Sequence, residues 1–291
     1  MVASGPGELS TEFIDMKENF TSNFYGPDLP VKARGVGVGG VIDYTPIMCS
    51  MQPPDGDGNE CFYILDGEWK QGPVMNRSRT WAAGTVLGDR LWVTGGLSSV
   101  KEASTELVSL TESQPYVDLP EPMAFHCVHE INETAIFVTN FKRFYIFDII
   151  TEEWSDAFDL PEDMWKDYNI RTICGVFELN GSPVIVLASD GVDSNKVSLL
   201  HLDGRGNGWI NGPPIPVGKN SGFPMISTPN KDGVLMIGGI GGPNSNYLDA
   251  IWKLSCLEKL DNCSWQEMPQ RMSFGKVNHV AFWLPNSFCP A

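Results

Sequence analysis

The stretch LGDRLWVTGGL (Leu87–Leu97) is a tight polar turn followed by an apolar strand that runs into a glycine pair. Four more stretches have this shape or a relic of it: GVGVGG ending at Gly40, AIFVTN at Asn140, VIVLASD at Asp190 and VLMIGG at Gly239. The steps between the five ends are 56, 44, 50 and 49 residues. Self-similarity at such a period marks an array built from one supersecondary unit.

The remainder of the unit repeats as well. A second alternating strand follows each marker: CFYILDG from Cys61, STELVSL from Ser104, RFYIFDI from Arg143, KVSLLHL from Lys196 and AIWKLSC from Ala250. An aromatic comes next, at Trp69, Tyr116, Trp154, Trp209 and Trp265. A proline turn closes the unit at Pro73, Pro120, Pro161, Pro213 and Pro269, and reads Pro-x-x-Met at Met123, Met164 and Met272. Period-two alternation bounded by Gly, Pro, Asp and Asn is the signature of strands and turns. Each repeat therefore supplies about four short strands, a sheet that must stack on its neighbours to bury both faces. The aromatic fills the space between adjacent sheets and keeps a polar edge for one hydrogen bond. The expected fold class is all-β, a β-propeller.

This pattern resembles the kelch repeat: a glycine pair after an apolar strand, a later aromatic, and a proline turn into the next strand. The second repeat, from Trp81 to Tyr116, matches best, and the fifth, with GVLMIGGIGG and Trp265, is next. Repeats three and four carry Thr139-Asn140 and Ser189-Asp190 in place of the glycines. Five units are counted, at approximately 31–78 with a closing strand at 276–285, 79–123, 124–164, 165–217 and 218–275. Six are possible. KVNHVAFWLP (Lys276–Pro285) reads as a first strand, so N- and C-terminal strands are expected to pair and leave no free sheet edge. Residues 1–30 are polar and rich in Gly, Ser and Pro, and are expected to be a flexible extension.

Composition narrows the function classes. Twenty basic against 36 acidic residues give a net charge of −16, which disfavours nucleic acid and anionic membrane surfaces as partners. No apolar run is long enough for a membrane span, so no membrane insertion is expected. Thirty glycines and 21 prolines leave little room for helices.

Seven cysteines raise the question of compartment. Cys256 and Cys263 bracket a short polar loop where two strands turn back, and Cys49 and Cys61 bracket a Gly/Pro/Asp loop; both pairs are disulfide candidates. Cys127 and Cys174 are expected as buried thiols in the first strands of their repeats. Cys289 is either free or paired outside the chain. Asn-x-Ser/Thr sequons at Asn19, Asn76, Asn132 and Asn262 are glycosylation candidates and agree with an extracellular setting. The first 30 residues hold no charged-then-apolar signal segment, which keeps the cytosol open as the alternative.

No catalytic constellation stands out. His126, Cys127 and His129 form an H-C-V-H cluster, but on a strand His126 points away from the other two, and no second ligand cluster matches it. Structural packing is the better reading for it and for His279. No nucleophile elbow is present, GVGVGG precedes no helix, and no cofactor or metal is implied. Several repeats place Arg and aromatic residues near the turn into the next first strand: Arg77, Arg79 and Trp81; Trp165, Tyr168 and Arg171; Arg271 and Phe274. That composition suits a protein-interaction face. The expected function is a non-enzymatic, monomeric propeller that binds a protein or glycoprotein partner through its loops. A propeller enzyme acting on a sugar or small metabolite is the alternative from another class. The kelch resemblance also implies a third, the substrate-recognition part of a BTB-kelch ubiquitin-ligase adaptor; that reading requires the chain to be a fragment.

Overall fold

A computed structural model describes residues 2–5, 8–16, 23–30, 37–50, 58–140, 142–160, 171–190, 195–202, 208–218, 220–241 and 246–285. The chain divides into two compact units, Met1–Phe125 with Asn278–Ala291, and His126–Val277. Among the described residues both are built almost wholly from antiparallel sheets.

The first compact unit holds three four-stranded sheets. One joins β1 (Val2–Gly5), β2 (Glu8–Ile14) and β3 (Asn23–Tyr25) to the last strand among the described residues, β28 (Val280–Ala281), in the order β28-β1-β2-β3. The next is β4 (Val38–Ile42), β5 (Thr45–Cys49), β6 (Glu60–Leu65) and β7 (Glu68–Val74). The third is β8 (Ala83–Leu87), β9 (Arg90–Thr94), β10 (Thr105–Val108) and β11 (Ser113–Pro115). Strand β5 shows why its sequence, TPIMC, does not alternate. Ile47 and Cys49 pack with Leu91 and Val93 of the following sheet, whereas Met48 packs with Val280 and Phe282 of the preceding one. A strand buried on both faces reads as a continuous apolar run.

The second compact unit repeats the plan. Its first sheet is β12 (Cys127–Asn132), β13 (Ala135–Thr139), β14 (Arg143–Asp148), β15 (Glu153–Trp154) and β16 (Phe158–Asp159). Its second is β17 (Arg171–Leu179), β18 (Ser182–Asp190), β19 (Val197–His201) and β20 (Ile210–Asn211). The fifth repeat contributes a small sheet of β21 (Asn220–Ser221), β24 (Ile240–Gly241) and β25 (Asn246–Tyr247). It also contributes the sheet of β22 (Met225–Ser227), β23 (Val234–Ile237), β26 (Ala250–Cys256) and β27 (Cys263–Arg271). In β18, Val184, Val186 and Ala188 face the fifth repeat, while Ile185 and Leu187 face the third.

One closure recurs at the end of each four- or five-stranded sheet. Leu29, Met75 and Leu119 in the first compact unit are buried, and each amide donates at 2.8 Å to the carbonyl of Leu9, Asn59 or Ala103. Leu160, Ile215 and Met272 do the same in the second, at 2.8–2.9 Å, toward Lys142, Asn195 and Asp249. Trp69, Trp209 and Trp265 fill gaps between sheets as the sequence predicts, whereas Tyr116 and Trp154 meet rings of their own sheets. The Trp69 indole donates to Pro27 O (2.9 Å), and that of Trp265 donates to Pro213 O (3.1 Å), each reaching the turn of the preceding sheet.

Three sequence expectations are corrected. Residues 1–30 carry β1–β3, and the closing strand pairs with β1 rather than with β4, so the chain ends build a sheet of their own instead of sharing the first repeat's. GVGVGG is out of phase: β4 is a first strand, and the counterpart of Thr94-Gly95 is Cys49-Ser50, with Ser50 at φ 62°. Cys127 and Cys174 are not thiols but a disulfide linking β12 to β17, with Cα atoms 5.8 Å apart. The two candidate pairs also form disulfides, Cys49–Cys61 and Cys256–Cys263, each between directly opposed residues of adjacent strands. Closing a 47-residue separation constrains the unfolded chain most, worth about 4 kcal/mol in the chain-entropy estimate.

The glycine pairs adopt one conformation. Gly95 and Gly96 have φ of 53° and 101°, and Gly238 and Gly239 have 61° and 100°. The second glycine of each pair donates across the turn, Gly96 N to Met123 O and Gly239 N to Lys276 O, both at 2.8 Å. A Cβ on Gly96 would lie 2.9 Å from both Arg79 Cβ and Thr80 O. Gly96→Ala should therefore destabilise the protein by about 1–3 kcal/mol. Gly88→Ala, at φ 59° but with open space around it, should cost less. Urea unfolding of the two variants checks the difference.

Candidate functional site

The sheet of the second repeat and the turn leading into it meet at one buried ion pair. Arg79 lies in that turn and Glu106 on β10, with side chains 0% and 2% exposed and Nη2–Oε1 at 2.7 Å. Arg79 Nη1 also donates to the carbonyls of Gly95 (3.0 Å) and Ser104 (2.7 Å). Glu106 Oε1 further accepts from the Arg77 amide (3.0 Å), and Oε2 accepts from the Asn76 amide (2.7 Å), Asn76 Nδ2 (2.9 Å) and Ser113 Oγ (2.7 Å). A buried carboxylate needs this degree of satisfaction to remain charged. Burial alone would push its pKa up; the Ser113 and Asn76 hydrogen bonds and the Arg79 charge hold it below the ordinary 4.5. Burial likewise pushes the Arg79 guanidinium down, against the pull of Glu106. It remains charged at any working pH.

The loop above this pair is wired throughout. Ser50 Oγ donates to Arg79 O. Thr80 and Leu97 exchange backbone bonds at 2.8 and 2.7 Å, and the Phe125 amide donates to Trp81 O at 3.1 Å. Trp81 (φ 55°) and Phe125 (φ 58°) are both left-handed, an uncommon state for bulky residues, and each stands two residues before a first strand. Their rings lie 4.8 Å apart, half-buried. The Arg77 side chain is exposed.

The candidate residues fall into both compact units. Arg77 and Trp81 are at the surface of the first, while Arg79 is withdrawn from it entirely, because Glu106 offers it a buried counter-charge. In the second unit Arg171 is half-buried at the start of β17. Arg271 bridges Asp249 (2.9 Å) and Glu267. Phe274 is 38% exposed, with the buried Lys276 ammonium 4.7 Å from its ring centre. Trp165, Tyr168, Asn19 and Cys289 lie outside the described residues. Asn76, Asn132 and Asn262 are all exposed. A further sequon, Asn180-Gly181-Ser182, was missed; the Asn180 amide donates to Glu258 O (2.9 Å).

Sequence reasoning also missed that Phe125 packs against Trp81 in a tilted ring pair and that Glu106 organises the loop. A lone Glu in the alternating strand STELVSL, on the apolar face, was the available signal. His126 and His279 are buried. His129 Nε2 lies 3.3 Å from Ser227 Oγ, but that hydroxyl donates to Val176 O, and His129 Nδ1 sits 3.1 Å from its neighbour's carbonyl, Glu130 O. Burial pushes the His129 pKa down, with Lys231 adding to it. This pair lacks the oriented base that activates a nucleophile. Among the described residues no group of three or more His, Cys, Asp or Glu could hold a metal, and no helix is long and apolar enough to cross a membrane.

No protein-family model matches the chain, and no curated protein does. Among solved structures it superposes on YjhT with a TM-score of 0.71, over 89% of this chain and 91% of that one, at 10% sequence identity. The chain is a β-propeller. Likeness at that identity carries the fold and no function. The three disulfides among the described residues are more consistent with an extracellular location than with a cytoplasmic one.

The Glu106 carboxyl titrates below its ordinary value in the folded protein, so its stabilisation is complete above about pH 4.5 and is lost as pH falls through the folded value. Glu106→Gln leaves Arg79 buried without a counter-charge and should cost about 3–5 kcal/mol at pH 7. It should also flatten the acid limb of stability against pH. Urea midpoints measured from pH 7 to pH 3 check both effects.

Proposed function

We propose that the chain is a kelch-like, non-enzymatic propeller of the extracellular space that binds a protein or glycoprotein partner through the loop Asn76–Ala82. The observation that supports it is the contrast within that loop. Its backbone is tied at Asn76, Arg77, Arg79, Thr80 and Trp81, while the Arg77 side chain and the Trp81–Phe125 rings face outward or stand half-exposed. Arg and Trp are the residue types that dominate interface energetics. A loop already held in one conformation loses little entropy on binding, so more of its contact energy appears as affinity. Left-handed Trp81 and Phe125 are held against their own preference, which is typical of positions kept for a function. The kelch reading rests on the glycine pairs and the between-sheet tryptophans.

Binding to an array of extracellular ectodomains tests this. A partner retained by the wild type and by Arg90→Ala should bind Arg77→Ala and Trp81→Ala at least about tenfold more weakly, the loss of one hot-spot residue. Near-ultraviolet circular dichroism should show Arg77→Ala to be folded. Equal binding by Arg77→Ala and the wild type would remove the loop from the interface.

A further inference from the structure

Two of the exposed sequon asparagines, Asn132 and Asn262, sit in hairpins of different kinds. Asn132 ends β12 at a hairpin tip; its Oδ1 accepts from the Thr134 amide (2.9 Å) and hydroxyl (3.0 Å). No covalent link closes that turn. Asn262 lies in the 3-10 turn Leu260–Asn262, inside the loop closed by Cys256–Cys263 across a separation of only 7 residues. Its amide donates to Lys259 O (3.1 Å) and its carbonyl accepts from the Leu257 amide (3.0 Å). The middle residue of its sequon, Cys263, is itself half of the disulfide, and the third, Ser264, is paired with Ser255. Asn180 donates to Glu258 O from the neighbouring hairpin and holds the same loop. With the disulfide closed, the backbone of the whole Asn262-Cys263-Ser264 sequon is committed.

We infer that Asn262 accepts an N-linked glycan only while Cys256–Cys263 is open, whereas Asn132 accepts one whatever the state of that disulfide. The inference rests on the extracellular reading above. In the transfer, Asn Nδ2 bonds to the anomeric carbon of a lipid-pyrophosphate-linked glycan, the carbon–oxygen bond to the pyrophosphate breaks, and Nδ2 loses one proton. In the competing step two thiols lose two protons and pass two electrons to a disulfide-donating oxidoreductase. Cys256 and Cys263 are close in sequence, so their closure needs only the local hairpin. The Asn132 turn instead is set by pairing of β12 with β13, which itself pairs with β14, and Asn132 stays exposed in it. Asn262 is thus an acceptor for a short interval, and its occupancy reports which event came first.

The test is translation of the full chain behind a cleavable leader into glycosylating microsomes, with site occupancy read from glycopeptides by mass spectrometry. Adding a reductant, or substituting Cys256→Ser under oxidising conditions, should raise Asn262 occupancy several-fold and leave Asn132 unchanged. Cys49→Ser should leave Asn262 at its wild-type level. Equal Asn262 occupancy with the disulfide open and closed, or none in either state, would overturn the inference. The microsome imposes the compartment, so free thiols and absent glycans on the natural protein would overturn the extracellular reading without touching this result.

Discussion

Everything in this chain depends on the fact that a four-stranded sheet with two apolar faces cannot stand alone. Each sheet must present its neighbours with two buried surfaces at once, and strands such as β5 and β18 do so by sending alternate residues to opposite sides. What keeps the stack in register is mostly main-chain bonding. The last apolar residue of each four- or five-stranded sheet gives its amide back to the start of that sheet's third strand, and in the second and fifth repeats a left-handed glycine pair at the end of the second strand captures the carbonyl leading onward. Side chains then decide how firmly each turn is held. Glycine pairs suffice in the second and fifth repeats. In the third, Asn140 Oδ1 accepts from the Lys142 and Arg143 amides, and in the first, Ser50 Oγ reaches the Arg79 carbonyl.

That substitution explains what could and could not be read in the sequence. The period, the proline turns and the between-sheet tryptophans were legible because each answers a local requirement that only a few residue types meet. The phase of the first repeat was not. GVGVGG imitates the glycine pair, while the strand end that matches Thr94-Gly95 is Cys49-Ser50, which carries no glycine. The N-terminal sheet was hidden for a related reason: its first strand comes from the other end of the chain. Hairpin disulfides were legible from short spacing, but Cys127–Cys174 joins two sheets, and a separation of 47 residues says nothing about proximity.

The candidate site shows the same division. Arg77 and Arg79 are two residues apart and look alike in sequence, yet one is exposed and the other fully buried. The difference is made by Glu106, 27 residues beyond Arg79, whose carboxylate holds the Arg79 guanidinium and the amides of Asn76 and Arg77 together. Buried pairs of this kind contribute little net stability against an apolar alternative, but they fix geometry. Here what is fixed is the path of a loop that displays an arginine and a tryptophan whose ring rests against Phe125.

The most direct test of that pre-organisation is residue-resolved amide hydrogen exchange at Asn76 and Arg77 in the unliganded protein. Bound to a buried carboxylate, both amides should exchange as slowly as those of β9 and β10, opening only with the sheet itself. Exchange at the rate of an unstructured surface loop would contradict it, and would mean that the loop acquires its shape only when something binds.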